Sequence, residues 1–347
     1  MATERLVSAS QQTVDVQDEQ VNHSLRPTRI NEYIGQADLI ERLSITIAAV
    51  RARKEPMEHV LLHGPPGLGK TTLAHVIGAE MNTRVYVTSG PALSRATDLV
   101  SALTRLEHGD ILFIDEIHRL PVAVEEFIYP AMEDFRIDVP VDSGLHARTV
   151  QISLKPFTLI GATTRAGLIS SPMRSRFGIA HHLRYYTTAE LLAILIRSAR
   201  LLGVASDGQG PLETIASRSR CTPRIANRLL RRVRDFAQVK ADGTITNVLV
   251  ARALELEGID NLGLDEIDRS YLRCIAKTYE GGPVGLEAVA ATMNEDAGTL
   301  EDVVEPYLLQ IGFLARTRRG RMMTRAAAEH LRIPVPKGLV EGGLFEA

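Results

Sequence analysis

The feature that most constrains the fold is a glycine-rich turn that follows a short apolar strand and opens a helix. Residues 64–71 read Gly-Pro-Pro-Gly-Leu-Gly-Lys-Thr, which satisfies the pattern G-x-x-x-x-G-K-[ST], and they follow the apolar residues 60–62. Small residues allow backbone N–H groups to wrap phosphates, and the helix N-terminus adds free donors. The turn therefore predicts an ATP site whose loop and first helical turn contain Gly64, Gly67, Gly69, Lys70, Thr71 and Thr72.

Two carboxylates follow another apolar run. Asp115 and Glu116 come directly after residues 111–114, which read Ile-Leu-Phe-Ile. Beside a phosphate-binding loop, this pattern is typical of the Walker B strand. We expect Lys70 to contact the β- and γ-phosphates, Thr71 and Asp115 to hold Mg²⁺, and Glu116 to act as general base on the attacking water.

A third polar strand end and two arginines complete the predicted site. Thr163 and Thr164 follow residues 159–162, and either hydroxyl could orient the lytic water, with Thr164 preferred. The alternative is that both threonines serve only strand formation. Residues 171–177, Ser-Pro-Met-Arg-Ser-Arg-Phe, resemble a segment that presents an arginine finger, here Arg176, to a neighbouring subunit, and Arg224 begins a helix that could reach the γ-phosphate of its own subunit. Each could instead be an ordinary surface arginine.

The chain divides by pattern into regions. Strands at residues 60–63, 84–88, 110–114 and 157–160 alternate with helices over residues 23–184, which indicates a parallel sheet covered on both faces. A β-hairpin is predicted at about residues 136–154, with Pro140, Val141 and Leu145 at an exposed tip. Residues 185–260 contain only helical patterns, and residues 261–334 combine three helices with a hairpin, the layout of a winged helix. Residues 1–22 and 335–347 are predicted to be disordered and flexible tails.

Composition and residue patterns argue against several classes of protein. No apolar run reaches the roughly 18 residues that span a bilayer, and residues 1–22 lack the apolar core of a signal peptide, so we expect a cytoplasmic protein without membrane contact. Cys221 and Cys274 show no metal-binding spacing and are predicted to be free thiols. The formal net charge of −2 does not suggest a globally basic DNA-binding protein, but arginines concentrate at residues 218–234 and 316–325.

Long segments outside the general motifs resemble one family. Matches include Glu-Tyr-Ile-Gly-Gln at residues 32–36, Tyr-Pro-Ala-Met-Glu-Asp at 129–134, Ser-Pro-Met-Arg-Ser-Arg-Phe-Gly at 171–178 and Gly-Gly-Pro-Val-Gly-Leu at 281–286. From residue 25 to about residue 332 the chain is similar to the RuvB family of bacterial AAA+ motors, which drive branch migration of Holliday junctions. One departure is Cys221, where the family usually has glycine before Thr-Pro-Arg.

The resemblance implies the fold class and further roles. It implies an AAA+ P-loop ATPase domain, an all-helical lid and a C-terminal winged-helix domain that binds DNA. Arg176 would be the arginine finger of a homo-hexameric ring, and Arg224 the second sensor. The base and sugar would contact Leu25, Arg26, Tyr33, Ile34 and Tyr186, and residues Glu133, Asp134 and Phe135 would lie near the nucleotide interface.

The same resemblance implies partners. The hairpin between Ile137 and Ile152 would bind the junction-recognising protein RuvA, and the resolvase RuvC would join the complex. Arg316, Arg319 and Arg321 cluster at the hairpin of the winged unit, where they could contact DNA phosphates. The alternative for this cluster is a solubilising surface. Two other functions stay open from the residues alone, a clamp-loader-like switch and an ATP-gated winged-helix regulator.

Overall fold

The computed structural model describes residues 24–140 and 149–335, and the chain forms two compact units. The first unit extends over Met1–Tyr186 and the second over Thr187–Ala347. Three predictions concern residues outside the described part of the chain. They are the tail at residues 1–22, the hairpin tip that contains Val141 and Leu145, and the tail at residues 336–347; the side chain of Pro140 is not described either. Within the described part of the chain, no helix is long and apolar enough to cross a membrane.

The first unit is built on a parallel sheet of five strands. In chain order these are β1 (Val60–His63), β2 (Val85–Ser89), β3 (Ile111–Asp115), β6 (Thr158–Thr163) and β7 (Ile179–His182), and their spatial order is β2-β3-β6-β1-β7. Because β6 pairs with both β1 and β3, the carboxyl ends of these three strands meet at one edge. Ligands of open parallel sheets bind outside that edge.

The sequence predicts four of these strands to within a few residues and misses β7. The central strands β1, β3 and β6 are almost fully buried, which produces the continuous apolar runs that reveal a parallel sheet. Edge strand β7 is half-buried and contains His181 and His182, so it has no such run. These two histidines lie on successive residues of a strand and face opposite sides.

Helices cover the sheet. They are α1 (Ala37–Arg53), α2 (Lys70–Met81), α3 (Ala96–Leu103), α4 (Val122–Glu133) and α5 (Ser171–Ser175), with 3-10 turns at Ile30–Glu32, Ile117–Arg119 and Ala166–Leu168. Helix α2 approaches the sheet closely at Gly78, where an added Cβ would lie 2.3 Å from Val85 Cγ2. This close packing fixes the helix that begins at the glycine-rich turn.

A two-stranded antiparallel hairpin is inserted between α4 and β6. Strand β4 (Arg136–Pro140) pairs with β5 (Thr149–Ser153), and Ile137 faces Ile152. Ile137 is fully buried in the core of the first unit and Val139 packs against it, so the base of the hairpin is anchored. Val150 is 50% exposed and is the apolar group that this hairpin offers to solvent among its described side chains.

The second unit begins with four helices. These are α6 (Thr188–Leu202), α7 (Gly210–Ser217), α8 (Pro223–Lys240) and α9 (Asn247–Leu256). Helix α6 begins with a capping box formed by Thr187 and Glu190, and Gly203 ends it with a φ of 65°. Helix α7 was not predicted, since it is only eight residues long and begins with Gly-Pro, although its buried residues Leu212, Ile215 and Ala216 follow helical spacing.

The rest of the second unit has its own core. Helices α10 (Glu266–Thr278) and α11 (Leu286–Met293) precede α12 (Ala297–Thr299), a π turn at Leu300–Val304 and α13 (Glu305–Gln310). Strands β8 (Leu314–Thr317) and β9 (Gly320–Met323) form an antiparallel hairpin, the wing, and α14 (Arg325–Leu331) follows. Val284 bridges to Arg321, which ties the wing to the segment before α11.

Among the three helices that the sequence pattern predicts in residues 261–334, the last, expected over residues 300–310, is wrong in its start and its regularity. It begins at Ala297 and contains the π turn before Glu305-Pro306. Pro306 has no backbone N–H, so it cannot make the regular bond to the preceding turn. Helix α14 was also missed, because it has only seven residues and follows the wing directly.

Candidate functional site

The glycine-rich turn lies between β1 and α2. Gly64, Gly67 and Gly69 have φ angles of 140°, 79° and 97°, which side-chain-bearing residues rarely adopt. A Cβ on Gly64 would lie 2.7 Å from the carbonyl oxygen of Leu183. Both backbone conformation and space therefore require glycine at the start of this turn.

Lys70 is buried inside the turn. Its side chain is 7% exposed, and its ammonium donates to the carbonyl oxygens of Gly64 at 2.7 Å and Pro65 at 2.9 Å. These acceptors are neutral, and hydrogen bonds to ionised acceptors are roughly twice as strong. A phosphate group above the turn would therefore be a better partner for this cation. Thr71 and Thr72 occupy the first turn of α2 and are half-buried.

Asp115 and Glu116 lie at the carboxyl end of β3. The backbone of Glu116 is left-handed, with a φ of 47°, and its N–H donates to Asp115 Oδ1 at 2.9 Å. A left-handed non-glycine residue costs about 1–2 kcal/mol, and such strain concentrates at functional sites. The left-handed turn therefore marks Asp115 and Glu116 as candidate site residues.

The two threonines at the end of β6 have different surroundings. Thr163 is fully buried, lies 2.8 Å from His118 Nδ1 and accepts the Arg165 N–H at 2.9 Å. Thr164 is half-buried and its hydroxyl donates to Glu116 Oε2 at 3.3 Å. The geometry therefore brings Thr164, and not Thr163, to the carboxylate of Glu116.

His118 is a site residue that sequence reasoning missed. Its Nδ1 lies 3.2 Å from Glu116 Oε2, and its side chain is 7% exposed. The same Nδ1 lies 2.8 Å from Thr163 Oγ1, and only the tautomer with a proton on Nδ1 can donate to the Glu116 carboxylate. The signal in the sequence is its place two residues after Glu116, but only the 3-10 turn Ile117–Arg119 brings the ring back to the carboxylate.

Two tyrosines lie behind the turn. Tyr186 is 4% exposed, and its hydroxyl lies 3.2 Å from the Leu68 carbonyl oxygen and 3.3 Å from the Tyr33 hydroxyl. A Cβ on Gly69 would meet the Tyr33 hydroxyl at 3.0 Å. Burial raises the pKa of Tyr33 well above its ordinary value, and Tyr186 adds to this effect, so the hydroxyl stays neutral.

The N-terminal segment with Leu25, Arg26 and Ile34 is fastened to the same unit. The Ile30 N–H donates to Glu80 Oε1 at 3.0 Å. The Gln36 amide pairs with the backbone of Arg184, donating at 2.7 Å and accepting at 3.1 Å. Leu25 is 4% exposed, whereas Arg26 and Ile34 are half-buried.

Arg176 packs against α4 of its own chain. Its guanidinium lies 4.3 Å above the Tyr129 ring, 3.1 Å from Glu133 Oε1, and donates to the Pro172 carbonyl at 2.7 Å. Asp134 lies 3.2 Å from Arg136. These contacts orient Arg176 at the end of α5 without using all its N–H groups.

Phe135 has a structural role that the sequence did not suggest. Its ring packs 5.9 Å from Phe157 and 6.5 Å from the buried His59. Its φ is 51°, so the chain turns sharply there before β4 begins.

Arg224 belongs to the second unit, on the first turn of α8, and is exposed. The turn before it is left-handed at both Arg220 and Cys221, with φ angles of 49° and 53°. A glycine would adopt this conformation without strain, whereas a residue with a side chain, such as Cys221, does so at a cost in free energy. Cys221 and Cys274 are both free, as predicted.

The predicted DNA arginines differ in their surroundings. Arg319 is exposed at the tip of the wing, between β8 and β9. Arg316 and Arg321 face each other across the two strands, and both bind the buried carboxylate of Glu305. Sequence reasoning missed this acidic partner, because it lies on another element 11 and 16 residues away.

Comparisons with known proteins match the whole described architecture. Family models match in order: the Holliday junction DNA helicase RuvB P-loop domain at residues 25–183, the RuvB AAA lid domain at 186–260, and the RuvB C-terminal winged helix domain at 261–332. The "Holliday junction branch migration complex subunit RuvB" of Kosmotoga olearia is 55% identical over 319 residues, covering 92% of this chain and 93% of the relative.

Solved structures that resemble this chain belong to the same family. The Holliday junction branch migration motor RuvB of Thermotoga maritima is 52% identical, with a TM-score of 0.83, covering 90% of this chain and 100% of that chain. A proline-to-glycine variant of the same RuvB gives the same identity, TM-score and coverage. The P-loop domain, helical lid and winged helix predicted from the sequence are thereby confirmed, and the chain belongs to the RuvB family.

Proposed function

We propose that this protein is an ATP-driven motor that moves Holliday junctions by branch migration, as a hexameric ring that works with RuvA. The observation that carries the proposal is the joint presence of a complete P-loop site and a winged helix in a chain that RuvB family models match from residue 25 to residue 332. A P-loop ATPase supplies free energy, and a winged helix supplies a DNA contact.

The residues at the sheet edge fit a magnesium-bound triphosphate. The turn is built for close backbone approach, and Lys70 already donates to its carbonyl oxygens. In the proposed site Lys70 and the backbone N–H groups of residues 64–71 bind the β- and γ-phosphates, and Thr71 and Asp115 hold Mg²⁺. The ion, when bound, neutralises phosphate charge.

Glu116 is the proposed general base. It would accept a proton from the attacking water, which requires a carboxylate oxygen aimed at the γ-phosphate. Thr164 and His118 both contact Glu116 Oε2, at 3.3 Å and 3.2 Å, and would hold that oxygen in place while Oε1 receives the proton. Thr164 is the proposed first sensor.

Two arginines are proposed to supply further positive charge to the γ-phosphate. Arg176 would act on the nucleotide of a neighbouring protomer, neutralising charge on the transferred phosphoryl group, an effect of about 10³-fold or more in rate. Its contacts with Tyr129 and Glu133 would hold it at the subunit boundary. Arg224 would report on the γ-phosphate from the lid.

The other predicted contacts belong to the same proposal. Tyr33 and Tyr186, with Leu25, Arg26 and Ile34, would enclose the base and sugar, since they belong to the segments beside the turn. Glu133 and Asp134, with Phe135, would lie at the nucleotide interface between protomers. RuvA would bind the inserted hairpin, RuvC would join the complex, and the assembly would work in the bacterial cytoplasm.

A strand-exchange assay tests the proposal against its alternatives. A labelled synthetic four-way junction is incubated with the protein and Mg²⁺, with and without ATP and RuvA. A motor converts the junction into duplex products only with ATP, and faster with RuvA. A clamp-loader-like switch or an ATP-gated regulator would hydrolyse or bind nucleotide without moving the junction, and that result would reject the motor.

A further inference from the structure

A buried carboxylate lies beneath the wing of the second unit. Glu305 is the first residue of α13, directly after the π turn, and its side chain has no exposed surface. An ionised group is buried only where partners compensate for the lost water. The side chains that bind Glu305 therefore indicate the role of its carboxylate.

Three side chains bind Glu305. The Tyr271 hydroxyl, on α10, donates to Oε1 at 2.5 Å. Arg316 donates to Oε2 through Nε at 2.8 Å and also through Nη2. Arg321 donates through Nε to Oε1 at 2.9 Å and through Nη2 to Oε2 at 3.5 Å. One carboxylate thus accepts from two guanidinium groups on neighbouring strands.

The two arginines would repel each other without Glu305. They are cross-strand partners on β8 and β9, and like charges in that position destabilise a sheet. Glu301, from the π turn, adds weaker contacts at 3.9 Å to Arg316 and 3.7 Å to Arg321. Glu305 therefore fixes where both guanidinium groups point.

The same contacts leave donors for a ligand. Each arginine uses Nε and Nη2 on the carboxylate, and within residues 24–140 and 149–335 neither Nη1 group has an acceptor. The side chains are 42% exposed at Arg316 and 19% exposed at Arg321. Two cross-strand guanidinium groups held on one carboxylate, each with Nη1 left as a donor, suit the oxygens of a DNA phosphate.

We propose that Glu305 is a positioning residue that presents Arg316 and Arg321 to the DNA backbone. The proposal rests on the DNA contact of the proposed function and adds the residue that organises it. Arg319, at the exposed tip, has no side-chain acceptor among the residues that the structure describes and would contribute charge without a fixed geometry.

Removing the negative charge distinguishes positioning from simple electrostatics. Glu305→Gln makes the wing more positive by one charge, so a purely electrostatic wing would bind DNA more tightly. If Glu305 positions the arginines, the same change weakens binding, because one of the two accepting oxygens becomes an NH2 group, a donor that cannot accept from the guanidinium group facing it. The two accounts therefore predict opposite signs.

The test measures DNA affinity of the full-length protein over a range of KCl concentrations, using fluorescence anisotropy of a labelled duplex. We expect Glu305→Gln to bind about tenfold or more weakly, which corresponds to one charge-assisted bond. The slope of log affinity against log salt should fall by about 0.9 for each phosphate that the wing no longer neutralises. The matched control is Glu301→Gln, which makes the same charge change at a 31% exposed side chain and should bind as tightly as the wild type or more tightly.

A second variant covers the case in which the buried amide does not fold. Glu305→Asp keeps the charge but shortens the side chain by one methylene, so positioning predicts weaker binding whereas net charge predicts no change. Thermal melting confirms that the compared variants are folded. Equal or tighter binding by folded Glu305→Gln or Glu305→Asp would overturn the inference. Absence of DNA binding by the wild type would instead reject the proposed function.

Discussion

Thr164→Val tests which threonine assists hydrolysis. Valine has nearly the shape of threonine, so the change removes one hydroxyl and little packing. The hydroxyl of Thr164 donates to Glu116 Oε2 at 3.3 Å, and His118 contacts the same oxygen at 3.2 Å. The variant should therefore bind ATP normally and hydrolyse it more slowly, because Glu116 loses one of two groups that orient it.

The size of the effect follows from that single bond. A hydrogen bond to a charged group contributes about 1.5–3 kcal/mol. The separation of 3.3 Å is long for a hydroxyl donor, so the lower value applies. About 1.5 kcal/mol corresponds to roughly tenfold in rate. His118 still holds the carboxylate, so we do not expect the rate to fall by the full amount attributed to a general base.

Single-turnover hydrolysis of labelled ATP, with nucleotide affinity measured separately, checks this expectation. Thr163→Val is the matched control, since it makes the same chemical change one residue earlier. Thr163 is fully buried and contacts His118 and the Arg165 N–H, so its loss should lower stability by about 1–3 kcal/mol. A larger rate loss in Thr163→Val than in Thr164→Val, with both folded, would refute the assignment.

Further predictions concern the nucleotide site and the core beside it. Lys70→Ala should abolish binding of labelled ATP in equilibrium titrations, because it removes the buried ammonium. Glu116→Gln should bind ATP but hydrolyse it about 10²- to 10⁴-fold more slowly in single turnover. Arg176→Ala should bind ATP with little change, while phosphate release by the assembled protein fails. His59 accepts the Leu159 N–H at Nδ1, and burial lowers its pKa from the ordinary 6.5. The unfolded chain therefore binds more protons below that pH, and the melting temperature should fall from about pH 7.5 to about pH 5.5, less so in His59→Gln.

Much of the fold could be predicted because the central strands of its sheet are buried on both faces. Continuous apolar runs marked β1 and β3, and the glycine pattern identified the turn between β1 and α2. Strand β7 could not be recognised in this way, since it is only half-covered and two of its four residues are His181 and His182. The π turn depends on Pro306 within a tertiary setting that local patterns do not contain.

Some residues of the candidate site could likewise be predicted from local patterns, and others could not. Residues adjacent to a motif, such as Lys70 and Glu116, follow from spacing alone. The choice between Thr163 and Thr164 depends on where β6 ends, because successive residues point to opposite sides and the strand ends at Thr163. Contacts between distant segments were not predictable. Glu305 and its two arginines illustrate this, since nothing in the chain order pairs them.

The central claim is that each ATP site is completed by Arg176 of a neighbouring protomer, and mixing two inactive variants tests it most directly. Arg176→Ala keeps Glu116 but lacks the finger, whereas Glu116→Gln keeps the finger but lacks the base. In a ring of randomly mixed equal amounts, roughly a quarter of the sites would combine an intact Glu116 with an intact Arg176 from the next protomer. The account predicts that phosphate release with four-way junction and RuvA present reappears on mixing. Two variants that stay inactive together, although each binds ATP and they assemble into mixed rings, would contradict it.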